Sequence, residues 1–149
     1  MDWKTYYQER HLTADEAVKH IKSGNRVLVG HACGEPSFLL DTMIGHKEDY
    51  ENVEIVHMVA MVPETFHTTM PLDVALVSVT PPDENGMVSL GVSVDYDYEA
   101  VMTAKIVIAQ VNDQMPFTYG KLIPVDKFTY FVDYSSPFIE LAPPKIGPI

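Results

Sequence analysis

Two apolar runs dominate the sequence and set the expectation for its fold. Val74 to Val79 reads VALVSV and Ile106 to Val111 reads IVIAQV. Both runs are almost wholly apolar and rich in β-branched residues, which is typical of strands buried on both faces of a sheet. Such strands need helices on either side. The runs therefore predict an α/β fold with a mostly parallel sheet flanked by helices.

A helix and a strand are predicted ahead of these runs. Thr13 and Glu16 have capping-box spacing, in which the threonine caps a helix and the glutamate reaches back to the cap amide. Gly24 is well placed to end that helix. Residues 25–30, NRVLVG, predict the first strand. The apolar stripe of the helix consists of Ala17, Val18 and Ile21.

A loop of small residues, His31 to Pro36, follows the first strand and precedes a predicted helix from Ser37 to Ile44. Ligands bind at the carboxyl ends of strands in open α/β sheets. Gly30 and Gly34 allow close backbone approach, and the start of the next helix favours an anion. The loop has neither the GxGxxG nor the P-loop pattern, so dinucleotide and ATP sites are not supported. An ordinary tight turn remains the alternative.

The segment after the predicted second strand, Val53 to Ala60, is unusually short. Met61 to Leu72 holds two prolines and no helical stripe, whereas a parallel crossover needs a dozen or more residues. Either the flanking strands pair differently, or a segment that usually lies here is absent. The third strand is predicted from Asp73 to Val79.

Asn85 and Gly86 predict a tight turn after the third strand, so Met87 to Leu90 is expected to return antiparallel as a hairpin. Asp83 and Glu84 could form a catalytic carboxylate pair, but a solvated turn tip is the preferred interpretation.

The last third of the chain predicts a helix from Ser93 to Ala104, capped by Ser93 or Asp95, then a strand from Lys105 to Val111. A polar cluster beginning at Asn112 follows this strand and is placed to contact a ligand. Phe128 to Val132 predicts a further strand. We assign residues 1–135 to one domain and residues 136–149, SPFIELAPPKIGPI, to a proline-rich interdomain linker.

Charge and composition narrow the partners. The 149 residues include 10 Lys and Arg against 21 Asp and Glu, a net charge of −11. Nucleic acids and anionic membranes need clustered cations, so neither is expected as a partner. The polar start does not have the pattern of a secretory signal, no apolar run approaches the roughly 20 residues that cross a bilayer, and a cytoplasmic location is expected.

No metal site and no disulfide are predicted. Cys33 is the only cysteine, so an intrachain disulfide is impossible. His31, Cys33, His57 and His67 lack the short paired spacings of zinc sites. For His57, a core or edge position in its strand is the preferred interpretation.

Several motifs in order resemble the acetyl-CoA hydrolase/transferase family, which includes 4-hydroxybutyrate CoA-transferase and butyryl-CoA:acetate CoA-transferase. The matching stretches are TADEAVKHIKSGNRVLVGHACGEP, NVEIVHMVAM, LDVALVSVTPPDENGMVSLGVSVDY, AKIVIAQVNDQMP and LAPPKIGPI. Together they cover nearly the whole chain. The resemblance implies the α/β fold shared by CoA-transferases and ribose-5-phosphate isomerase.

The resemblance also implies a chemistry. Such enzymes move coenzyme A, a substrate and not a bound cofactor, from a short-chain acyl-CoA to a carboxylate such as acetate. A glutamate attacks the thioester, and a glutamyl-CoA intermediate follows. The family implies a homo-oligomer, with a homodimer expected, and no bound cofactor.

Three departures from the family limit these expectations. The second domain, which carries the nucleophilic glutamate and a glycine-rich CoA loop, has no counterpart here. The short connector places a seam, an apparent internal deletion, near Met61–Pro63. Phe117 stands where the family usually has arginine, which weakens the inference that this loop grips an anion.

The resemblance implies a set of substrate-binding residues in two loops. Their expected role is to shape the acyl and carboxylate pocket, and no catalytic residue is assigned within the chain. These residues are Gly34, Glu35, Pro36, Asn112, Gln114, Met115 and Pro116.

Two other functions remain open from the sequence. The chain could be a non-catalytic fragment or split-gene subunit that binds a partner domain. It could also belong to an acetyl-CoA hydrolase, in which water replaces the acceptor acid.

Overall fold

A five-stranded parallel sheet forms the centre of the computed structural model, which describes residues 2–57, 66, 68–138 and 140. All pairs in this sheet are parallel, and the strand order is β2-β1-β3-β5-β7. The two apolar runs form its centre, as predicted, and all six residues of β3 are buried. The strands are β1 Arg26–Val29, β2 Glu54–Val56, β3 Val74–Val79, β5 Ile106–Val111 and β7 Tyr130–Asp133.

Helices cover both faces of the sheet, which confirms the predicted layers. One face packs side chains such as Leu76 and Ile108 against α2 and α3, and the other packs Val77 and Ala109 against α4. The helices are α1 Trp3–Gln8, α2 Ala14–Val18, α3 Ser37–Gly45 and α4 Asp95–Thr103, with 3-10 turns at Ala32–Gly34, Lys47–Asp49 and Val125–Lys127.

A small two-stranded sheet lies beside the main one. It takes the place of the hairpin that the sequence predicted between the third strand and Met87 to Leu90. The tight turn forms where predicted, with Gly86 at φ 75°. The returning strand β4, Met87–Ser89, however, pairs antiparallel with β6, Leu122–Pro124. It does not join β3, because β1 and β5 already occupy both edges of that strand. Backbone bonds from Thr80 N to Ser89 O, 2.9 Å long, and from Asp83 N to Met87 O, 2.8 Å long, are what remains of the hairpin contact.

Asp83 holds this turn together. Its Oδ1 accepts hydrogen bonds from the backbone amides of Asn85 and Met87, at 2.9 and 2.8 Å. This is the local bonding expected of an aspartate at a turn. The carboxylate therefore has a structural task, which agrees with the interpretation as a turn tip.

Some predicted boundaries were wrong. The helix α2 ends at Val18, not at Gly24, because the chain turns there and Gly24 N donates to Glu51 O. The N-cap of α4 is Val94, and neither Ser93 nor Asp95 caps it with a side chain.

Parts of three predictions lie outside the described residues. They are the end of the predicted second strand beyond His57, the proposed seam at Met61–Pro63, and most of the linker after residue 138. In the described ranges, no helix combines the length and the apolar character needed to cross a membrane.

The capping box at Thr13 forms as predicted. Glu16 N donates to Thr13 Oγ1 at 3.2 Å, and Thr13 N donates to Glu16 Oε2 at 2.9 Å. We expect Thr13→Ala to lower the free energy of unfolding by about 1 kcal/mol, since it leaves the Glu16 amide without its partner. Thr13→Ser keeps the hydroxyl and should lose less than half as much in urea unfolding. Equal losses in the two variants would contradict the role of the cap.

Candidate functional site

A cavity of about 190 Å³ lies at the carboxyl ends of β1, β3 and β5. This is the edge at which the sequence placed the ligand, and it is the usual position in open α/β sheets. Its lining is formed by Ala32, Cys33, Glu35, Ser37, Ser78, Gln110, Asn112, Ser136, Pro137 and Phe138.

Two buried polar side chains form the floor of this cavity. Ser78 and Gln110 are register partners on β3 and β5, so their side chains stand next to each other on one face of the sheet. They are only 5% and 2% exposed. In the described part of the chain, neither the Ser78 hydroxyl nor the Gln110 side-chain nitrogen has a hydrogen-bond partner.

The orientation of Gln110 is fixed by α3. Its Oε1 accepts hydrogen bonds from the backbone amides of Phe38 and Leu39, at 3.1 and 3.2 Å. Because those amides are donors, the oxygen must face the helix and the NH₂ group must face away from it. Gln110 thus joins the sheet to α3 and keeps a donor available at the cavity.

The same contact overturns the expectation of an anion at the start of α3. Gln110 occupies the amides of Phe38 and Leu39, and Ser37 N donates to Glu35 O at 2.9 Å. The first-turn amides that would hold an anion are therefore satisfied by the protein itself.

Asn112 closes one side of the cavity. Its Nδ2 donates to Ser136 O at 2.8 Å, and its Oδ1 accepts from the amides of Gln114 and Ser136, at 3.0 and 3.2 Å. These bonds tie the turn after β5 to residues 136–138. Asn112 lines the cavity, but its side-chain nitrogen and oxygen are already hydrogen-bonded within the protein.

Glu35 carries the only carboxylate among the described residues that line the cavity. Its Oε2 lies 3.7 Å from Nε2 of His57, and about a third of each side chain is exposed, 36% and 37%. An ion pair this long and this exposed is weak. Cys33, on the same loop, has a free and exposed thiol.

The other predicted residues lie near the cavity but not in its lining. Gly34 and Pro36 are buried in the loop, and Met115 packs under Gly91. Gln114 is exposed and donates to Ser135 Oγ at 2.9 Å, and Pro116 is exposed. Of the seven residues, the cavity brings together Glu35 and Asn112.

The loop that carries Glu35 rests on a buried acid from α4. Asp97 is 1% exposed, and its Oδ1 has no partner in the described part of the structure. A Cβ on Gly30 would lie 3.0 Å from Asp97 Oδ2. Burial, and secondarily the charge of Asp95, raises the pKa of Asp97 to about 8.

His31 and Ser93 lie beside this acid. Nε2 of His31 pairs with Asp95 Oδ2 at 2.8 Å, and its ring stacks on Tyr96 with centroids 4.9 Å apart. A Cβ on Gly34 would meet Ser93 Cβ at 2.5 Å, so the loop lies directly on the residue that precedes the N-cap of α4. None of these contacts was predicted from the sequence.

No group of three His, Cys, Asp or Glu side chains in the described ranges is arranged to hold a metal ion. His31 and His57 each face a different carboxylate, Asp95 and Glu35. His67 lies outside the described residues.

The cavity floor could have been found from one signal in the sequence. Ser78 and Gln110 are single polar residues near the carboxyl ends of otherwise apolar strands. A polar side chain buried there needs a partner, and a ligand is one possible partner. The interpretation of both apolar runs as core strands alone missed this signal.

Comparisons with known proteins agree with this architecture. Residues 1–69 and 56–140 match the sequence profile of the acetyl-CoA hydrolase/transferase N-terminal domain. The 4-hydroxybutyrate coenzyme A transferase of Clostridium kluyveri is 36% identical over 194 residues, which cover 100% of this chain and 45% of that protein.

Two further relatives extend the likeness. A succinyl-CoA:acetate/propanoyl-CoA:succinate CoA transferase of Fasciola hepatica is 45% identical over 73 residues, 48% of this chain and 15% of that protein. The crystal structure of 4-hydroxybutyrate CoA-transferase from Porphyromonas gingivalis superposes with a TM-score of 0.87 at 34% identity, covering 97% of this chain and 44% of that one.

The chain thus spans less than half the length of these relatives. Its alignment with the Clostridium protein nevertheless covers all 149 residues, and the profile covers the domain described above in two overlapping stretches. The chain belongs to the acetyl-CoA hydrolase/transferase family and matches its N-terminal domain.

Proposed function

We propose that this chain is the amino-terminal half of an acyl-CoA:carboxylate CoA-transferase. The enzyme would move coenzyme A between a short-chain acyl-CoA, such as butyryl-, 4-hydroxybutyryl- or acetyl-CoA, and a carboxylate such as acetate. The Clostridium and Porphyromonas proteins, which match 100% and 97% of this chain, carry transferase names, which supports this reaction type.

The observation that carries the proposal is the cavity at the carboxyl edge of the sheet. Pockets that enclose drug-sized ligands measure about 300–1,000 Å³. A cavity of about 190 Å³ matches a smaller group, such as a short acyl chain, and not a whole coenzyme A. Glu35 and Asn112 would shape this pocket, with Gln114, Gly34, Pro36, Met115 and Pro116 supporting the two loops.

The proposed chemistry needs a glutamate from the second half of the enzyme. Its carboxylate attacks the thioester carbonyl, expelling CoA thiolate and forming an acyl-glutamyl anhydride. The thiolate then attacks the glutamyl carbonyl, which releases the first acid and leaves a glutamyl-CoA thioester. The acceptor carboxylate reverses both steps and receives the CoA.

The shortened connector fits an internal deletion. The alignment with the Clostridium protein needs 194 residues of that protein against 149 here. We infer that the missing residues belong near Met61–Pro63. An intact mass above 16.7 kDa for the purified protein would contradict this inference.

The test supplies butyryl-CoA and acetate to this chain alone and to this chain mixed with a carboxyl-terminal half from the same locus. We expect acetyl-CoA to form only in the mixture, with ping-pong kinetics, because the nucleophile enters with the second half. The carboxyl-terminal half alone is the matched control.

Three outcomes would decide against parts of the proposal. Transfer by the isolated chain would show that it holds its own nucleophile. Thiol release by the mixture without acetate would indicate a hydrolase. Binding of the second half with neither activity would favour the non-catalytic subunit.

A further inference from the structure

Three buried polar atoms without a hydrogen-bond partner belong to one contact beside the cavity. They are Nδ1 of His31, Oγ of Ser93 and Oδ1 of Asp97, and no other buried side-chain nitrogen or oxygen in the described part of the chain lacks a partner. The contact joins the loop of residues 30–36 to residues 93–97 at the start of α4, and we call it the seam. A few such atoms are ordinary in a protein, but three at one contact call for an explanation.

The loop reaches the helix through two glycines. A Cβ on Gly30 would lie 3.0 Å from Oδ2 of Asp97, and a Cβ on Gly34 would lie 2.5 Å from Cβ of Ser93. The backbone of the loop therefore lies directly on these two side chains. The backbone amides of residues 34 and 35 donate to carbonyls within the loop, so they do not attach it to the helix.

The proton on Asp97 decides whether the polar groups at the seam can be paired. Nε2 of His31 pairs with the Asp95 carboxylate at 2.8 Å and therefore carries a proton, which leaves Nδ1 of the neutral ring as an acceptor. A neutral Asp97 adds a donor, so that one bridging water can pair all three groups. An ionised Asp97 adds only acceptors, and it would compete with Nδ1 for the single proton of the Ser93 hydroxyl.

An ionised Asp97 would be costly in the closed seam. Asp97 is 1% exposed, and burial, followed by the like charge of Asp95, raises its pKa to about 8. The titratable groups at the seam are His31 from the loop and Asp95 and Tyr96 from α4, and no cationic side chain among the described residues acts on Asp97. A buried carboxylate without a partner costs several kcal/mol, so it must gain access to water.

The loop is the side of the seam that can move. The helix α4 is fixed in the core by Ala100 and Val101, which are 0% and 3% exposed. The loop has the cavity beside it, and Ala32, Cys33 and Glu35 form part of the cavity lining. A movement of the loop away from Asp97 therefore changes the wall of the cavity.

We propose that Asp97, as a neutral acid, is a positioning residue for the candidate site. It holds residues 30–36 on α4 and so keeps Cys33 and Glu35 in the cavity wall. When Asp97 releases its proton to the solvent, the loop moves off the helix and the wall opens. The inference rests on the proposed function for its consequence, because this wall belongs to the pocket proposed for the acyl group.

Two nuclear Overhauser effects (NOEs) measure the contact directly. The loop NOE joins Hα of Gly34 to Hβ of Ser93, which lie close together only while the loop is seated. The sheet NOE joins the side chains of Leu76 and Ile108, register partners on β3 and β5, and reports that the chain is folded. Both are followed in the ¹³C-labelled chain in D₂O from pH 6 to pH 9.

We expect the loop NOE to be strong at pH 6 and to lose most of its intensity by pH 9, because an acid with a pKa of about 8 is about nine-tenths ionised there. The sheet NOE should persist. Asp97→Asn keeps a donor and carries no charge, so it should retain both NOEs throughout. Asp41→Asn removes an exposed carboxyl from α3 and should behave like the parent chain.

A loop NOE that persists at pH 9 in the parent chain would overturn the proposal, as would one that disappears equally in Asp97→Asn. Loss of both NOEs at the same pH would also overturn it, since the whole chain would then unfold without a separate movement of the loop. Neither NOE requires transfer of CoA. Failed transfer beside a pH-dependent loop NOE would remove only the proposed function, and successful transfer beside a constant loop NOE would remove only this inference.

Discussion

Replacing Asp97 with asparagine should stabilise the chain by several kcal/mol at pH 8 and leave it nearly unchanged at pH 4. Asp97 is 1% exposed, Oδ1 has no partner among the described residues, and the pKa is raised to about 8 by burial and then by Asp95. An ordinary aspartate has a pKa of about 3.9. The folded protein therefore holds a proton that the unfolded chain releases.

The sign of the effect follows from that difference in proton binding. Between pH 4 and pH 8 the unfolded state binds fewer protons at this residue than the folded state does. Folding stability accordingly falls as pH rises, by about 1.4 kcal/mol per pH unit, and the stability that Asp97 contributes below pH 4 is lost by pH 8. The total loss is about 5 kcal/mol, a large part of the stability of an ordinary domain.

Urea unfolding of both proteins between pH 4 and pH 8 measures this contribution. The advantage of Asp97→Asn should grow steadily with pH, because asparagine has no proton to lose. Asp41→Asn removes an exposed carboxyl from α3 and serves as the control, with a difference near zero throughout. A constant difference between Asp97→Asn and the parent protein would show that Asp97 is ionised in the folded state.

The sequence predicted those elements whose sequence signal is local. β3 and β5 were identified because each is a run of six almost wholly apolar residues, and the Thr13 capping box forms within four residues. The helix α1 was not predicted, although Trp3, Tyr6 and Tyr7 have the i, i+3, i+4 spacing of an apolar stripe and pack, partly buried, against the core. The short strand β6 was also not predicted, since it contains Pro124, which usually argues against a strand.

The features that could not be predicted from the sequence depend on contacts between residues far apart along the chain. The turn at Gly86 is a local feature, but the partner of β4 depends on which edges of β3 are free. The prediction of the candidate site was limited in the same way. Its edge of the sheet follows from strand order, whereas the pairing of Ser78 with Gln110 needs the register of two strands whose paired residues are 32 positions apart in sequence.

Gly86→Ala should destabilise the chain by about 3 kcal/mol, and Gly24→Ala by only about 1 kcal/mol. Both glycines have a left-handed backbone, with φ 75° and 78°, which costs a residue with a Cβ about 1–2 kcal/mol. At Gly24 a new Cβ would have no atom within 4 Å. At Gly86 it would lie 2.6 Å from Cγ of Trp3 and 3.0 Å from its Cβ.

This clash cannot be relieved by moving the tip of a side chain, because the atoms concerned are next to the Trp3 backbone. The helix α1 must shift instead, and overpacking of this kind costs about 1–3 kcal/mol. The displacement would also strain the contact of α1 with Val125–Lys127 and the hydrogen bond that Tyr6 Oη donates to O of the next residue, Phe128, at 2.8 Å. The effect of the new methyl group should therefore depend on the presence of the indole ring.

Urea unfolding in two backgrounds isolates that dependence. In the parent chain Gly86→Ala should cost about 2 kcal/mol more than Gly24→Ala, since the backbone strain is the same and only the clash differs. In a Trp3→Ala background the ring is gone and only the Cβ contact at 3.0 Å remains, so the difference between the two glycine substitutions should fall below about 1 kcal/mol. An unchanged difference of about 2 kcal/mol without the indole would show that the contact between the Trp3 ring and the turn is not the cause.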